Sequence, residues 1–200
     1  HSALGTREYT VLMAIRKPRS GSFPVSRFHG RRMPEVDYLA LPEEQPYLED
    51  VNAVVLQKPM PNADHRKLVR ELVVALLMYQ RAYGGDSGPE GRVRMPDGSG
   101  YRLPDTAYWA PGVDSGDDSL PTLVVEVRSP GQPLSALLEK CRAFRRNGVA
   151  ICWLFDPESR TVQVFEGDRD GERQNAAELT SNHLPGFELN LAQLFAVLDR

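Results

Sequence analysis

The stretch that decides the reading is "PTLVVEVRSPG", residues 121–131. Residues 122–127 have the apolar, β-branched character of a buried strand, bounded by proline on one side and by Ser-Pro-Gly on the other. Glu126 interrupts the valines. An ionised carboxylate in such a run costs several kcal/mol unless a partner meets it. Side chains alternate along a strand, so Val124, Glu126 and Arg128 are expected on one face, and Leu123, Val125 and Val127 on the other. The carboxylate therefore points the same way as Arg128, near the end of the strand, where functional groups collect in open α/β sheets.

Downstream, "SPGQPLSALLEKCRAFRRNG" reads as a helix with Leu134, Leu137, Leu138, Cys141 and Phe144 on one stripe, stopped by Asn147-Gly148. "VAICWLFDP" is apolar on both faces and suits a central strand, and "TVQVFEG" is another strand. The strand–helix–strand step implies two parallel strands. Upstream, "NADHRKLVRELVVALLMYQRAYGG" is a helix that Asn62 or Asp64 caps and Gly84-Gly85 stops. Short strands are expected near Ala53–Gln57, Arg92–Met95 and Thr106–Ala110, a short helix before them, and a helix at the end of the chain. The class is α/β, a mixed β-sheet flanked by helices.

The 200 residues suffice for one domain with a core, and 41% hydrophobic with 26% charged residues is an ordinary globular composition. The net charge of −3 excludes a polyanion binder by overall charge. Between Arg7 and Arg32 there are seven basic residues and one acid, so residues 1–34 read as a basic N-terminal extension, with one strand-like run "YTVLMAI", and residues 35–200 as the domain. Such an arm either contacts phosphates or is simply solvated. Cys141 and Cys152 sit in apolar patterns and read as small core residues. No apolar run approaches the roughly 20 residues of a membrane span, and no leader is visible, so a cytoplasmic location is expected.

A second carboxylate, Asp105, follows Pro104 in "YRLPDTAYW" at the start of a strand. Two carboxylates on neighbouring strands can hold Mg²⁺ or Mn²⁺, hard cations that take oxygen ligands and keep several waters. Lys140 lies at the border of the next helix's apolar stripe. Each residue also has a structural reading: an ion pair for Glu126 with Arg128, a turn residue for Asp105, a solvated helix face for Lys140.

An Asp, some twenty residues, then Glu-x-(Lys or Arg) on a strand is the pattern of PD-(D/E)xK nucleases. The longer strings "YRLPDTAYWAPG", "LPTLVVEVRSPGQP", "LLEKCRAFRRNGVAICWLFDPESRTVQVFEG" and "LPGFELNLAQLF" together resemble the Uma-type restriction endonuclease family over about residues 35–197. The resemblance implies a restriction-endonuclease-like fold, Mg²⁺- or Mn²⁺-dependent cleavage of DNA, and a homodimer. It implies that Asp105 and Glu126 are metal ligands and that Lys140 is the catalytic lysine, with Glu49 and His65 as accessory residues. Several positions depart from the family pattern. Arg128 stands at the strand position of the usual lysine; it cannot act as a base at neutral pH, but it is a catalytic candidate beside Lys140, stabilising charge on the scissile phosphate or positioning water. Gly131 replaces a serine, Cys152 and Phe144 replace tyrosines, and Asn52-Ala53 replaces an Asp-Gly turn. These departures keep open an alternative, a catalytically inactive nuclease fold acting as a DNA-binding or dimeric interaction module.

Overall fold

The computed structural model describes residues 24–116 and 118–200. The strand-like run at residues 9–15 lies outside the described residues. In chain order the elements are α1 (Glu35–Leu39), β1 (Leu48–Val51), β2 (Val54–Gln57), α2 (Ala63–Tyr83), β3 (Asp86–Pro89), β4 (Val93–Arg94), β5 (Gly100–Arg102), β6 (Thr106–Trp109), β7 (Leu123–Val127), α3 (Leu134–Arg146), β8 (Ile151–Asp156), β9 (Thr161–Glu166), β10 (Arg169–Arg173), β11 (Glu178–Leu179), β12 (Leu189–Asn190) and α4 (Leu191–Phe195), followed by a 3-10 turn to Asp199.

A mixed six-stranded sheet in the order β10-β9-β8-β7-β6-β3 is the centre of the molecule. β7 and β8 are parallel, joined by α3, and the other pairs are antiparallel. Both central strands are buried along their whole length, which is why they read as continuous apolar runs. Alternation sorts their side chains onto two cores. Leu123, Val125, Val127, Trp153 and Phe155 face α2 and α4, against Leu68, Leu72, Leu76 and Phe195. Val124, Cys152 and Leu154 face α3, against Leu137, Cys141 and Phe144. Glu126 belongs to the α3 side.

The helix ends follow local rules. Asn62 Oδ1 accepts the His65 amide at 2.8 Å and caps α2, and Gly84 with φ 85° ends it. α3 ends at Asn147, and Gly148 turns the chain away with φ 101°. Cys141 and Cys152 are buried free thiols. Among the described residues no helix is long and apolar enough to cross a membrane.

A second sheet, ordered β2-β1-β5-β4, stands beside the first. Its hairpin pairs Glu49 with Leu56 and closes through Asn52 and Ala53. Residues 30–33 run along β2, where Gly30 and Arg31 exchange backbone hydrogen bonds with Val55 and the Met33 amide donates to Ala53. The buried Met33 joins Tyr38, Leu48, Val55 and Tyr101 in a small third core.

Five strands escaped the sequence pattern, the two-residue β11 among them. β1 precedes the turn and carries two acids. β3 contains Gly88 and Pro89 and is tolerated because it lies at a sheet edge. β5 is three residues long and passes so close to β1 that a Cβ on Gly100 would lie 2.5 Å from the Asp50 carbonyl oxygen. β10, "RDGER", is a polar edge strand with an irregular register between Asp170 and Glu172.

Asn52 and Ala53 have φ of 53° and 61°, the left-handed pair of a tight hairpin turn. Asparagine tolerates this conformation, but alanine does not adopt it without strain. Ala53→Gly is expected to raise stability by about 1 kcal/mol in urea unfolding. A neutral or destabilising result would show that the turn is not strained.

Candidate active site

The two sheets and α3 meet at Leu103-Pro104-Asp105, the segment between β5 and β6. β6 pairs with β7 in the register Thr106 to Val125, and the next step of that register brings Asp105 level with Glu126. The Asp105 amide donates to the Val125 carbonyl at 3.0 Å, and its Oδ2 accepts the Val127 amide at 2.7 Å. Asp105 and Glu126 line one small cavity of about 60 Å³, together with Glu49, Lys58, His65 and Lys140. Asp105, Glu126 and Glu49 are buried, Glu126 to 2% exposure.

Each side chain is delivered by a different element. Lys140 comes from α3, and its Nζ lies 2.7 Å from Glu126 Oε1, 2.7 Å from Glu49 Oε1 and 3.2 Å from the Leu103 carbonyl. Glu49 comes from β1, and its Oε1 accepts the Leu103 amide at 2.7 Å. Lys58, just beyond β2, donates to Asp105 Oδ1 at 2.8 Å and to the Leu103 carbonyl at 2.9 Å. His65, in the first turn of α2, places Nε2 3.2 Å from Asp105 Oδ2. The two ammonium groups thus bracket one carbonyl.

The charge balance explains the titration behaviour. Three carboxylates face two ammonium groups, which leaves one negative charge uncompensated. Burial raises all three carboxylates, but two of them have enough donors to reverse it. For Asp105 these are first Lys58 and then His65, and its pKa falls well below the usual carboxylate range. For Glu49 they are Lys140, Lys58 and the Leu103 amide, and its pKa is also lowered. Glu126 has Lys140 but the repulsion of Asp105 and Glu49 as well, and burial carries it up to about 7. Its Oε1 sits at ion-pair distance from Lys140 without hydrogen-bond geometry. Burial lowers Lys140, yet Glu126 and Glu49 outweigh it and raise its pKa, so it is a permanent cation at neutral pH. Lys58 is raised in the same way, mainly by Asp105.

Of the residues singled out in the sequence, Asp105, Glu126, Lys140, Glu49 and His65 come together. Arg128 does not. β7 ends at Val127, and Arg128 turns to Asp156, with NH1 3.0 Å from Oδ2, while its Nε donates to the Gln132 carbonyl at 3.1 Å. It lines a neighbouring cleft with Asn62, Asp64 and Glu158. The alternative pair of Glu126 with Arg128 does not form: Arg128 lies one register step beyond the Val127–Phe155 pair, level with Asp156, and pairs with it, while Glu126 pairs with Lys140. Lys58 was missed in the sequence. Glu49 lies directly opposite Leu56, and Lys58 is two residues further on, so alternation in the hairpin puts Glu49 and Lys58 on one face. That signal becomes visible only once β1 is recognised as a strand.

The donor set suits a hard divalent cation. Glu126 offers the buried Oε1, engaged only by the Lys140 ammonium at 2.7 Å, and Asp105 retains one of its four acceptor positions. Among the described residues no group of three or more His, Cys, Asp or Glu is arranged to hold a metal. Mg²⁺ does not need such a group, since one or two carboxylates plus waters or phosphate oxygens commonly suffice.

The raised Glu126 pKa has a sign in stability. From its ordinary value of 4.5 up to about 7 the folded state keeps a proton that the unfolded state releases, so stability falls as pH rises through this window and the loss is complete above it. The window corresponds to about 3 kcal/mol at roughly 1.4 kcal/mol per pH unit. In metal-free buffer, Glu126→Gln is therefore expected to be more stable than the parent at pH 8, by up to this amount, with the gap closing towards pH 5. Denaturant melts at the two pH values test it, and a variant less stable at pH 8 would contradict the assigned balance.

Comparison with known proteins places this geometry in context. A family model described as "Uma2: Putative restriction endonuclease" matches residues 36–192. Among solved structures, "a putative nuclease belonging to DUF820 from Anabaena variabilis ATCC 29413" superposes with a TM-score of 0.71 at 22% identity, covering 83% of this chain and 99% of that one. The DrdV–DNA complex gives a TM-score of 0.39 at 15% identity, over 64% of this chain and 11% of that one. No curated protein matches. The fold is thus that of the Anabaena protein, and with a match over most of its length the chain belongs to the Uma2 family.

Proposed function

We propose that the protein is a metal-dependent endonuclease that hydrolyses phosphodiester bonds in DNA. The observation that carries this reading is the convergence of Asp105 from the segment before β6, Glu126 from β7 and Lys140 from α3 in one cavity. The family description, "Putative restriction endonuclease", agrees with it. Asp105 and Glu126 are the residues that would hold Mg²⁺ or Mn²⁺. When bound, such an ion supplies Lewis-acid polarisation of the phosphate and a more acidic water.

The chain's own groups have distinct tasks. Lys140, held between Glu126 and Glu49, stays protonated and has no lone pair with which to take a proton from water, so its task is electrostatic, stabilising negative charge that grows on the phosphate. His65 fixes the orientation of Asp105 from one side, and the Val127 amide does so from the other. Arg128, engaged with Asp156, has no part in the chemistry. The reading includes a homodimer, because a two-fold pair of chains supplies one site for each strand of a duplex.

A second reading, a nuclease fold that binds DNA without cutting it, is favoured by one feature. Lys58, His65 and the Val127 amide already fill three acceptor positions of Asp105. Cleavage of supercoiled and linear DNA with Mg²⁺ or Mn²⁺ separates the two. The expected outcome is metal-dependent cutting that falls at least about a hundredfold in Asp105→Asn and Lys140→Met, the scale on which preorganised charge contributes to catalysis, and that survives in Arg128→Met. Absence of cutting with either ion, by protein that is folded and binds DNA, would favour the second reading.

A further inference from the structure

Lys58 is not among the residues that the family resemblance marks, yet it makes the closest cationic contact to Asp105. It follows β2, where its amide donates to the Tyr47 carbonyl at 2.8 Å and so continues the hairpin by one residue. Pro59 follows it and stiffens the backbone there. The side chain crosses from the hairpin to the central sheet and is only 12% exposed. Its ammonium has two partners, Asp105 Oδ1 and the Leu103 carbonyl. The other Asp105 oxygen is filled by His65 and the Val127 amide, so the acceptor position left on Asp105 is on the oxygen that Lys58 already holds.

We propose that Lys58 is a resident counter-cation of Asp105, one that a divalent ion must displace or share an oxygen with, so that Lys58 sets the metal affinity of the site. The inference rests on the metal-dependent reading above. An ammonium and a divalent cation on one largely buried carboxylate oxygen repel each other strongly. Lys58 therefore keeps the buried Asp105 compensated while the site is empty, and it opposes the ion when one arrives. Lys140 differs in its partners. It is shared between Glu126 and Glu49 and has no contact with Asp105 closer than the long-range attraction between them.

The test is Mn²⁺ binding to the full chain, measured by calorimetry and by the rise in melting temperature, with no reliance on cleavage. Four proteins are compared with the parent: Lys58→Met, Lys58→Gln, Lys58→Arg and Asp105→Asn. Lys58→Gln removes the charge but keeps a hydrogen-bond donor, so it protects the experiment if the methionine variant folds poorly. Both neutral variants are expected to melt lower than the parent without metal. They are expected to bind Mn²⁺ about tenfold or more tightly, since a nearby unit charge typically moves an ionic equilibrium by 1–3 pK units, and to gain a larger melting shift at the same Mn²⁺ concentration. Lys58→Arg keeps the charge and should retain parental affinity, and Asp105→Asn should bind weakly. If the parent binds Mn²⁺ through Asp105 but the neutral Lys58 variants bind no better, this inference is overturned and the metal-dependent reading stands. If neither the parent nor the neutral variants bind Mn²⁺, both are overturned. Binding that appears only in the neutral variants would support the inference in its strongest form.

Discussion

Three buried carboxylates face two ammonium groups across the Leu103-Pro104-Asp105 segment, and the architecture is arranged around that imbalance. Glu49 belongs to the hairpin sheet, Asp105 and Glu126 to the central sheet, Lys140 to α3 and Lys58 to the link between β2 and α2. Each ion pair therefore joins two different units. Glu49 with Lys140 ties the hairpin to α3, Lys58 with Asp105 ties the hairpin to the central sheet, and Lys140 with Glu126 ties α3 to β7. The Leu103 peptide is the common node, with its amide on Glu49 and its carbonyl on both lysines.

Such a joint is a poor choice for stability alone. Well-packed apolar residues of similar volume hold elements together as well or better than buried ion pairs, whose desolvation offsets most of their attraction. Here the imbalance adds to the cost, because Glu126 has no backbone donor and shares its lysine with Glu49. The neighbouring cores show the ordinary solution: α3 packs Leu137, Cys141 and Phe144 against Val124 and Cys152 one layer away. A cluster that lowers stability at a junction of three units is the expected sign of a site kept for chemistry, in line with perturbed carboxyls gathering where function is located. Arg128 illustrates the contrast. Its pair with Asp156 joins the ends of β7 and β8, is partly exposed, and perturbs no site residue.

Much of this could be read in the chain. β7, α3 and β8 were legible because their apolar periods are long and their ends are marked by proline and glycine, and from them followed the parallel pair and the face on which Glu126 lies. The convergence of Asp105 with Glu126 rested on the longer resemblance, since Pro-Asp alone signals only a turn. The hairpin sheet was mostly illegible. β1 carries Glu49 and Asp50 where an apolar alternation would be sought: Glu49 lines the cavity, and the buried Asp50 carboxylate is favoured by the nearby charge of Arg102. Missing β1 meant missing the face shared by Glu49 and Lys58. Arg128 misled for a related physical reason. The ladder to β8 continues through the Arg128 amide, which donates to the Phe155 carbonyl at 2.8 Å and sets Arg128 level with Asp156, so the guanidinium is taken by a carboxylate of the neighbouring strand.

The claim on which the account depends is that Asp105 and Glu126 act on one ion. Crystals grown with Mn²⁺ and measured at a wavelength where manganese scatters anomalously test it most directly. The account predicts a single strong anomalous peak within about 2.0–2.3 Å of a carboxylate oxygen from both Asp105 and Glu126, the range of hard-cation coordination, with the Lys58 ammonium moved off Asp105 or retained beside a partly filled site. A saturating Mn²⁺ concentration that leaves the cavity without a peak, with both lysines still on their carboxylates, would contradict it.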